Sequence, residues 1–366
     1  MEIHGSPVRF MPPSGPVALR AARWGARLLI AGVLLFFAFP GLLAATLVSR
    51  SDGRPGSAQV QALQRAGDAV VALRVAAIDG AKSADSLGRE RVGSGVVIGP
   101  DGLILTIGYL LLEAETIEIV TQDDHVLPAR EVAYDLATGF GLVRPLVPLR
   151  GIEPVPFAGV ASVKAGEPLL VATGSSSGTE VAFTRLVATR PFSGYWEYYI
   201  DTALFTSPPV INHSGAALFN RNGELLGIGS LFVMETGGPD HGPPGNMFVP
   251  VQLLRPVLAE LQATGTTRAS VRPWLGISSS EHDGQVEIVR VDRSGPALAA
   301  GLQPGDVVLE IDGVEVRTLE AFYKQLWKRA APESEVVLTV RQGSEVRKVK
   351  VHAIDRMQTL RKPESI

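Results

Sequence analysis

Cysteine is absent from all 366 residues. That excludes disulfides, thiolate nucleophiles and cysteine-ligated metals, and it leaves the redox compartment unreadable from cysteine usage. An excess of one charge is missing too: 34 Lys and Arg against 37 Asp and Glu give a formal net charge of -3. Such a balance offers nothing to nucleic acid. Histidine is scarce, and His213, His241, His282 and the acidic residues show no H-x-x-x-H or comparable ligand spacing. No metal site and no cofactor is expected. Glycine and proline are plentiful, at 39 and 26 residues, which suits a loop-rich β protein.

One long apolar run is present. Leu28 to Val48 carries no charge and is long enough as a helix to cross roughly 30 Å of hydrocarbon. Arg20, Arg23 and Arg27 precede it, and the positive-inside bias places that end in the cytoplasm. Residues 1–27 then form a disordered cytoplasmic tail, 28–48 a single transmembrane helix in a bacterial inner membrane, and 49–57 a flexible tether. The rest of the chain is expected in the periplasm. Leu43-Ala44-Ala45-Thr46 leaves a cleaved signal peptide as the competing reading; the length of the run and Pro40 favour a retained anchor.

Past the tether, Val60 to Ala66 reads as a short helix, Ala69 to Val75 as a buried strand and Asp79 to Arg91 as an exposed loop. From Val92 onward, short apolar runs alternate with turn signals, as all-β sandwiches and barrels do. Val251 to Ala263 has apolar residues at helical spacing, and 264–270 is small and polar. A strand, a short helix near Ala297–Ala300, a strand, a helix over Leu319 to Arg329 and two more strands then make an α+β unit of about 80 residues.

Three stretches carry a resemblance. Gly93 to Thr106 (GSGVVIGPDGLILT) resembles the hairpin that leads into the catalytic His of the HtrA/Deg serine proteases. Asp135-Leu136-Ala137-Thr138-Gly139-Phe140-Gly141-Leu142 is similar to the segment supplying their catalytic Asp. Asn212-His213-Ser214-Gly215-Ala216-Ala217-Leu218 is similar to their nucleophile loop. The C-terminal unit, from Trp274-Leu275-Gly276-Ile277 through Gly295-Pro296-Ala297, Gly301-Leu302, Gly305-Asp306 and Asp312-Gly313, resembles their PDZ domain. The resemblance implies a mainly β chain in a DegS-like arrangement. A trypsin-like double β-barrel would span 58–262, a linker 263–271, a PDZ domain 272–353 and a polar tail 354–366. It also implies a homotrimer.

The departures bear on chemistry. Tyr109 stands where the family has His, and Gly139 where it has Asp; Ser214 remains in its place. A serine hydroxyl is a weak nucleophile until a base accepts its proton, and a phenol titrating near 10 is no base at neutral pH. Loss of the His in comparable enzymes costs on the order of a million-fold. His125, His213, Asp123, Asp124 and Asp135 are the conceivable substitutes. His213 adjoins Ser214, but adjacent side chains diverge; His125 reads as part of a solvated turn and Asp135 as a turn cap. By resemblance the oxyanion donors are the N–H groups of Ser214 and Asn212, where the family has Gly in the second position. Pro208-Pro209-Val210-Ile211 gives that loop a stiff, apolar approach.

The PDZ unit keeps its requirements. Trp274, Leu275, Gly276 and Ile277 stand where such domains receive a peptide's terminal carboxylate. Leu319, Phe322, Tyr323 and Leu326 share a helix face, from which Phe322 and Leu326 are expected to line the peptide groove, the alternative being that the whole face is core. The expected function is a membrane-anchored periplasmic pseudoprotease that binds exposed C-termini or unfolded envelope proteins through its PDZ domain. The alternative is an active envelope endopeptidase using Ser214 with a non-standard base.

Overall fold

The computed structural model describes residues 57–361 apart from 176–177, 239–240 and 330. The apolar run expected to span a membrane lies outside the described residues. Among those described, no helix is long and apolar enough to cross one.

Helix α1 (Ser57–Asp68) leads into β1 (Val70–Ala77), whose VVALRVAA sequence is buried at nearly every position. With β2 (Glu90–Val97), β3 (Ile104–Ile107), β4 (Ala114–Val120), β5 (Val126–Tyr134) and β6 (Phe140–Pro145) it closes a barrel in the order β1-β2-β3-β6-β5-β4. The loop expected over 79–91 contains one short helix, α2 (Ala84–Leu87). A second barrel follows: β7 (Pro168–Ser175), β8 (Gly178–Gly194), β9 (Tyr198–Ser207), β10 (Ala217–Phe219), β11 (Leu225–Val233) and β12 (Gly245–Pro250) close in the order β10-β11-β12-β9-β8-β7.

One apolar core runs through both barrels, joining Leu73, Ile104 and Phe140 of the first to Phe205, Phe219 and Met247 of the second. Strand β1 packs so closely on β7 that a Cβ on Gly174 would lie 2.3 Å from the amide of Ala72.

The periodicity over 251–263 predicts one continuous helix. The structure has instead a 3-10 turn, Val251–Leu253, and then helix α3 (Leu258–Thr264). Pro256 accounts for the break: it has no N–H to donate, and it disfavours helical geometry in the residue before it.

The C-terminal unit holds β14 (Ile277–His282), β15 (Gln285–Val291), β16 (Val307–Ile311), β18 (Glu335–Gln342) and β19 (Glu345–His352) in a sheet ordered β14-β15-β16-β18-β19. Strand β17 (Val314–Glu315) pairs with β16, and helices α4 (Pro296–Ala299) and α5 (Leu319–Leu326) complete the unit. Burial alternates along β18, so Val336, Leu338 and Val340 face the core. β14 is an edge strand beside α5, the geometry of a strand-adding groove.

The start of the polar tail is not loose. β13 (Pro273–Trp274) pairs with β20 (Ile354–Asp355), Met357 and Leu360 pack against Leu112, Tyr134 and Leu136, and the Arg361 amide donates to Glu113.

The linker between barrels and sheet is pinned by one buried carboxylate. Asp135 accepts from the hydroxyls of Thr267 (2.7 Å) and Ser270 (2.5 Å) through Oδ1, and from the amide and hydroxyl of Thr138 through Oδ2. Thr138 lies in its own turn, while 267 and 270 belong to the linker. Removing the acceptor takes a partner from three buried or half-buried hydroxyls, and the Thr267–Ser270 contact (3.1 Å) can satisfy only one of them. Asp135→Ala is therefore expected to lose about 3 kcal/mol, read as a fall in the urea midpoint at unchanged slope.

Candidate functional site

Strand β3 ends at Ile107, and the chain turns through a 3-10 segment, Gly108–Leu111. Such a turn leaves carbonyls without partners. The buried guanidinium of Arg91 supplies donors to the carbonyls of Tyr109 (3.3 Å), Leu110 (3.4 Å) and Leu112 (2.6 Å). Arg91 is held in turn by the Ser83 hydroxyl, which donates to Glu113. This fixed turn aims the Tyr109 side chain across the cleft between barrels.

Its hydroxyl lies 2.7 Å from Ser214 Oγ and 2.9 Å from the carbonyl oxygen of Ser230 on β11. A phenol has one proton, and a carbonyl can only accept. Both contacts are satisfied together when Tyr109 donates to Ser230 and Ser214 donates to Tyr109. Burial pushes the phenol up to about 12, the Ser214 contact opposing. At neutral pH the group facing the serine proton is a neutral phenol, with no capacity to take that proton away.

The nucleophile loop keeps its shape. The Ser214 carbonyl accepts from the amide of Ser94 (2.9 Å), and the amide of Gly215, at φ +75, donates to the Gly229 carbonyl (2.9 Å). A side chain on Gly215 would place its Cβ 2.0 Å from the Ser94 carbonyl oxygen. The apolar approach is fixed by buried Asn246, which accepts from the Val210 amide (2.6 Å) and donates to its carbonyl (3.2 Å). Asn212 does not adopt a left-handed backbone. Among the described residues, the amides of Asn212 and Ser214 have no partner.

No expected substitute base reaches the serine. The His213 ring bonds the Ile211 carbonyl (2.9 Å), and burial holds it below the ordinary imidazole range. His125 pairs with Asp123 at 2.6 Å on the surface. Asp124 occupies the same turn with φ +62, and Asp135 is fully engaged at the linker. Gly139 sits at φ +83, and a Cβ there would lie 3.3 Å from Tyr198 Oη. The Tyr198 hydroxyl donates to the Thr138 carbonyl beside it.

In the C-terminal unit, Trp274 is half-buried while Leu275, Ile277, Phe322 and Leu326 are buried in the unit's core together with Tyr199 of β9. The loop expected to receive a peptide carboxylate holds one from the chain itself. Glu197, in the β8–β9 turn at φ +59, accepts from the amides of Leu275 (3.1 Å), Gly276 (2.8 Å) and Ile277 (3.1 Å). Burial pushes its carboxyl up to about 7, with those three amides opposing the shift. Arg272 closes the junction, its guanidinium 3.6 Å over the Trp327 ring and within 3.4 Å of the carbonyls of Leu136 and Glu197. Glu197, Arg272 and Asn246 were not singled out by the sequence patterns. The available signal for Glu197 is a lone acid inside the aromatic turn Gly194-Tyr195-Trp196-Glu197-Tyr198-Tyr199.

A family profile for the trypsin-like peptidase domain matches residues 93–228, and one for the PDZ domain matches 273–353. The chain is 26% identical over 331 residues to the serine endoprotease DegS of Haemophilus influenzae, covering 87% of this chain and 92% of that one. It is 28% identical over 281 residues to a probable periplasmic DegP-like serine endoprotease of Halomonas elongata, covering 72% of this chain and 56% of that one. The chain spans about half the length of the DegP-like relatives it matches. A solved structure of the HtrA-type protease AlgW with a decapeptide is similar in fold, with a TM-score of 0.52 at 20% identity, covering 83% of this chain and 99% of that one. Two closed barrels followed by this small sheet therefore define a trypsin-like peptidase domain joined to a PDZ domain. Across both domains the chain is similar to serine endoproteases named DegS and DegP-like.

Restoring one group should not restore hydrolysis. Tyr109→His supplies an imidazole with no carboxylate behind it, and loss of that orienting group in a complete triad costs about 10⁴-fold. Casein cleavage by the Tyr109→His chain is expected to be no faster than that of the Ser214→Ala chain in a fluorescence-release assay.

Proposed function

We propose that this chain is a periplasmic HtrA-like pseudoprotease, a scaffold or regulator that captures exposed protein C-termini or unfolded envelope proteins through its PDZ domain. The observation that carries this reading is the Tyr109 hydroxyl 2.7 Å from Ser214 Oγ, at the place where a triad needs a proton acceptor. Gly139 adds to it, having no side chain with which to orient a base. In this proposal residues 28–48 hold the protein in the inner membrane and the barrels assemble as a trimer.

A second reading, an active endopeptidase, draws on the unpartnered amides of Asn212 and Ser214, since oxyanion donors alone retain some catalysis over water. Treatment of the chain with a fluorophosphonate probe and with unfolded casein separates the two. The pseudoprotease predicts no label at Ser214 and no cleavage above that of Ser214→Ala. Labelled Ser214, or cleavage that disappears in the Ser214→Ala variant, would establish the endopeptidase instead.

A further inference from the structure

The three walls of the PDZ groove are already in contact with one segment of the barrel domain. At the closed end, the Glu197 carboxylate accepts from the amides of Leu275, Gly276 and Ile277. Along the edge strand, the amide of Ser279 on β14 donates to the Tyr195 carbonyl at 2.8 Å. From the helix, the Tyr323 hydroxyl of α5 donates to the Gly194 carbonyl at 2.6 Å and lies 3.3 Å from the Glu197 amide. One turn earlier on α5, Glu320 accepts from the Tyr199 hydroxyl (2.9 Å), and Lys324 lies 4.8 Å from the Tyr199 ring centroid.

The pattern is that of a strand-adding peptide. A carboxylate is seated in a nest of successive amides, and a main-chain carbonyl two residues earlier pairs with the sheet edge two residues past the nest. Here the carboxylate belongs to a side chain and the peptide is the tip of the β8–β9 hairpin. We propose that residues 194–199 are an internal ligand of the PDZ groove, with Glu197 standing in for a terminal carboxylate, and that an external partner is a peptide with a free C-terminus that displaces them.

Three features make the seat contestable. The carboxyl is raised to about 7 because burial outweighs the amide bonds, so the contact holds against an opposing desolvation. Glu197 takes a left-handed backbone, φ +59, which a residue with a Cβ adopts at a penalty. The side chains of Tyr195 and Trp196 stay outside the groove: Tyr195 is largely exposed, and the Trp196 ring stacks on Tyr198 at 5.7 Å. The internal ligand thus uses the carboxylate seat and the strand edge through Glu197 and main-chain atoms. An external peptide can match those contacts and add side chains of its own.

The inference takes its external ligand from the peptide-binding role proposed above; the self-docking itself stands on the contacts. The test uses the full chain and two variants. Glu197→Ala removes the carboxylate. Tyr323→Phe removes the helix hydroxyl and leaves the nest untouched. Hydrogen exchange at the amides of Leu275, Gly276 and Ile277 reports docking, with β15 and β18 amides as the folding control. Anisotropy with a fluorescein-labelled decapeptide library, randomised at its last four positions and ending in a free carboxylate or an amide, reports binding.

Exchange at 275–277 is expected to quicken at least about tenfold in Glu197→Ala and to a smaller degree in Tyr323→Phe. Affinity for the free-carboxylate library is expected to rise about tenfold, since apparent affinity scales with the open fraction, while the amidated library stays unbound. Unchanged exchange in both variants overturns the internal ligand. Quickened exchange with equal library affinity before and after substitution overturns the competition. Quickened exchange with no library binding in any form supports self-docking and overturns the peptide-receptor role instead.

Discussion

A phenol has one proton to give, and the arrangement around Ser214 follows from where that proton goes. The Ser230 carbonyl lies 2.9 Å from Tyr109 Oη and can only accept, so the phenol donates there and turns a lone pair toward Ser214. The serine hydroxyl then has a partner that accepts a hydrogen bond but cannot accept a proton. An imidazole differs in that second property alone among those that matter here. Tyr109 therefore fills the cleft and satisfies the serine hydroxyl without offering it a proton acceptor. Arg91, bonded to three carbonyls of the same turn, holds the ring in that position.

The same economy of partners governs the junction between barrels and PDZ domain. Two buried acids, Asp135 and Glu197, take donors from the segments that follow the barrels: hydroxyls of Thr267 and Ser270 for the first, amides 275–277 for the second. Arg272 lies between those two sets of donors in sequence and touches the carbonyls of Leu136 and Glu197. Few of the groups are interchangeable, because a buried donor left without its acceptor carries its full desolvation penalty. The two domains are thus related by specific bonds as well as by apolar contact. Asp135 and Gly139 share one turn, closed by the Gly139 amide on the Asp135 carbonyl, and the Gly139 carbonyl accepts from Gly108 beside Tyr109.

Much of this fold was legible in the residues. Alternation and turn signals pointed to β-barrels, and the motifs singled out Tyr109 and Ser214, which the structure brings within 2.7 Å from distant segments. The hydrogen bond between Tyr109 and Ser214 was not legible, because a motif aligns positions and leaves rotamers open. Pro256 was visible in the sequence, yet the apolar spacing on both sides of it suggested one continuous helix where the backbone permits a 3-10 turn and a short α-helix. Asp135 reads locally as a turn cap, and its bond to the Thr138 amide fits that; its bonds to 267 and 270 depend on a linker more than 130 residues away. Glu197 lies beyond pattern reasoning for the same reason. Its partners are nearly 80 residues on, in another domain, and a glutamate in a turn is ordinarily solvated.

With a phenol facing its hydroxyl, the loop that carries Ser214 is still held by bonds of its own. The Ser214 carbonyl receives the Ser94 amide of β2, and Gly215 closes on Gly229 of β11, so the loop bridges the two barrels whether or not it reacts. Its approach is tied to Asn246 on β12, and β12 pairs with β9, the strand whose first residues meet the PDZ helix. β9 itself is paired on both sides, with β8 and β12, and is contacted near its start by the PDZ helix. The loop around Ser214 is thus held by main-chain bonds to both barrels that do not depend on whether its hydroxyl reacts.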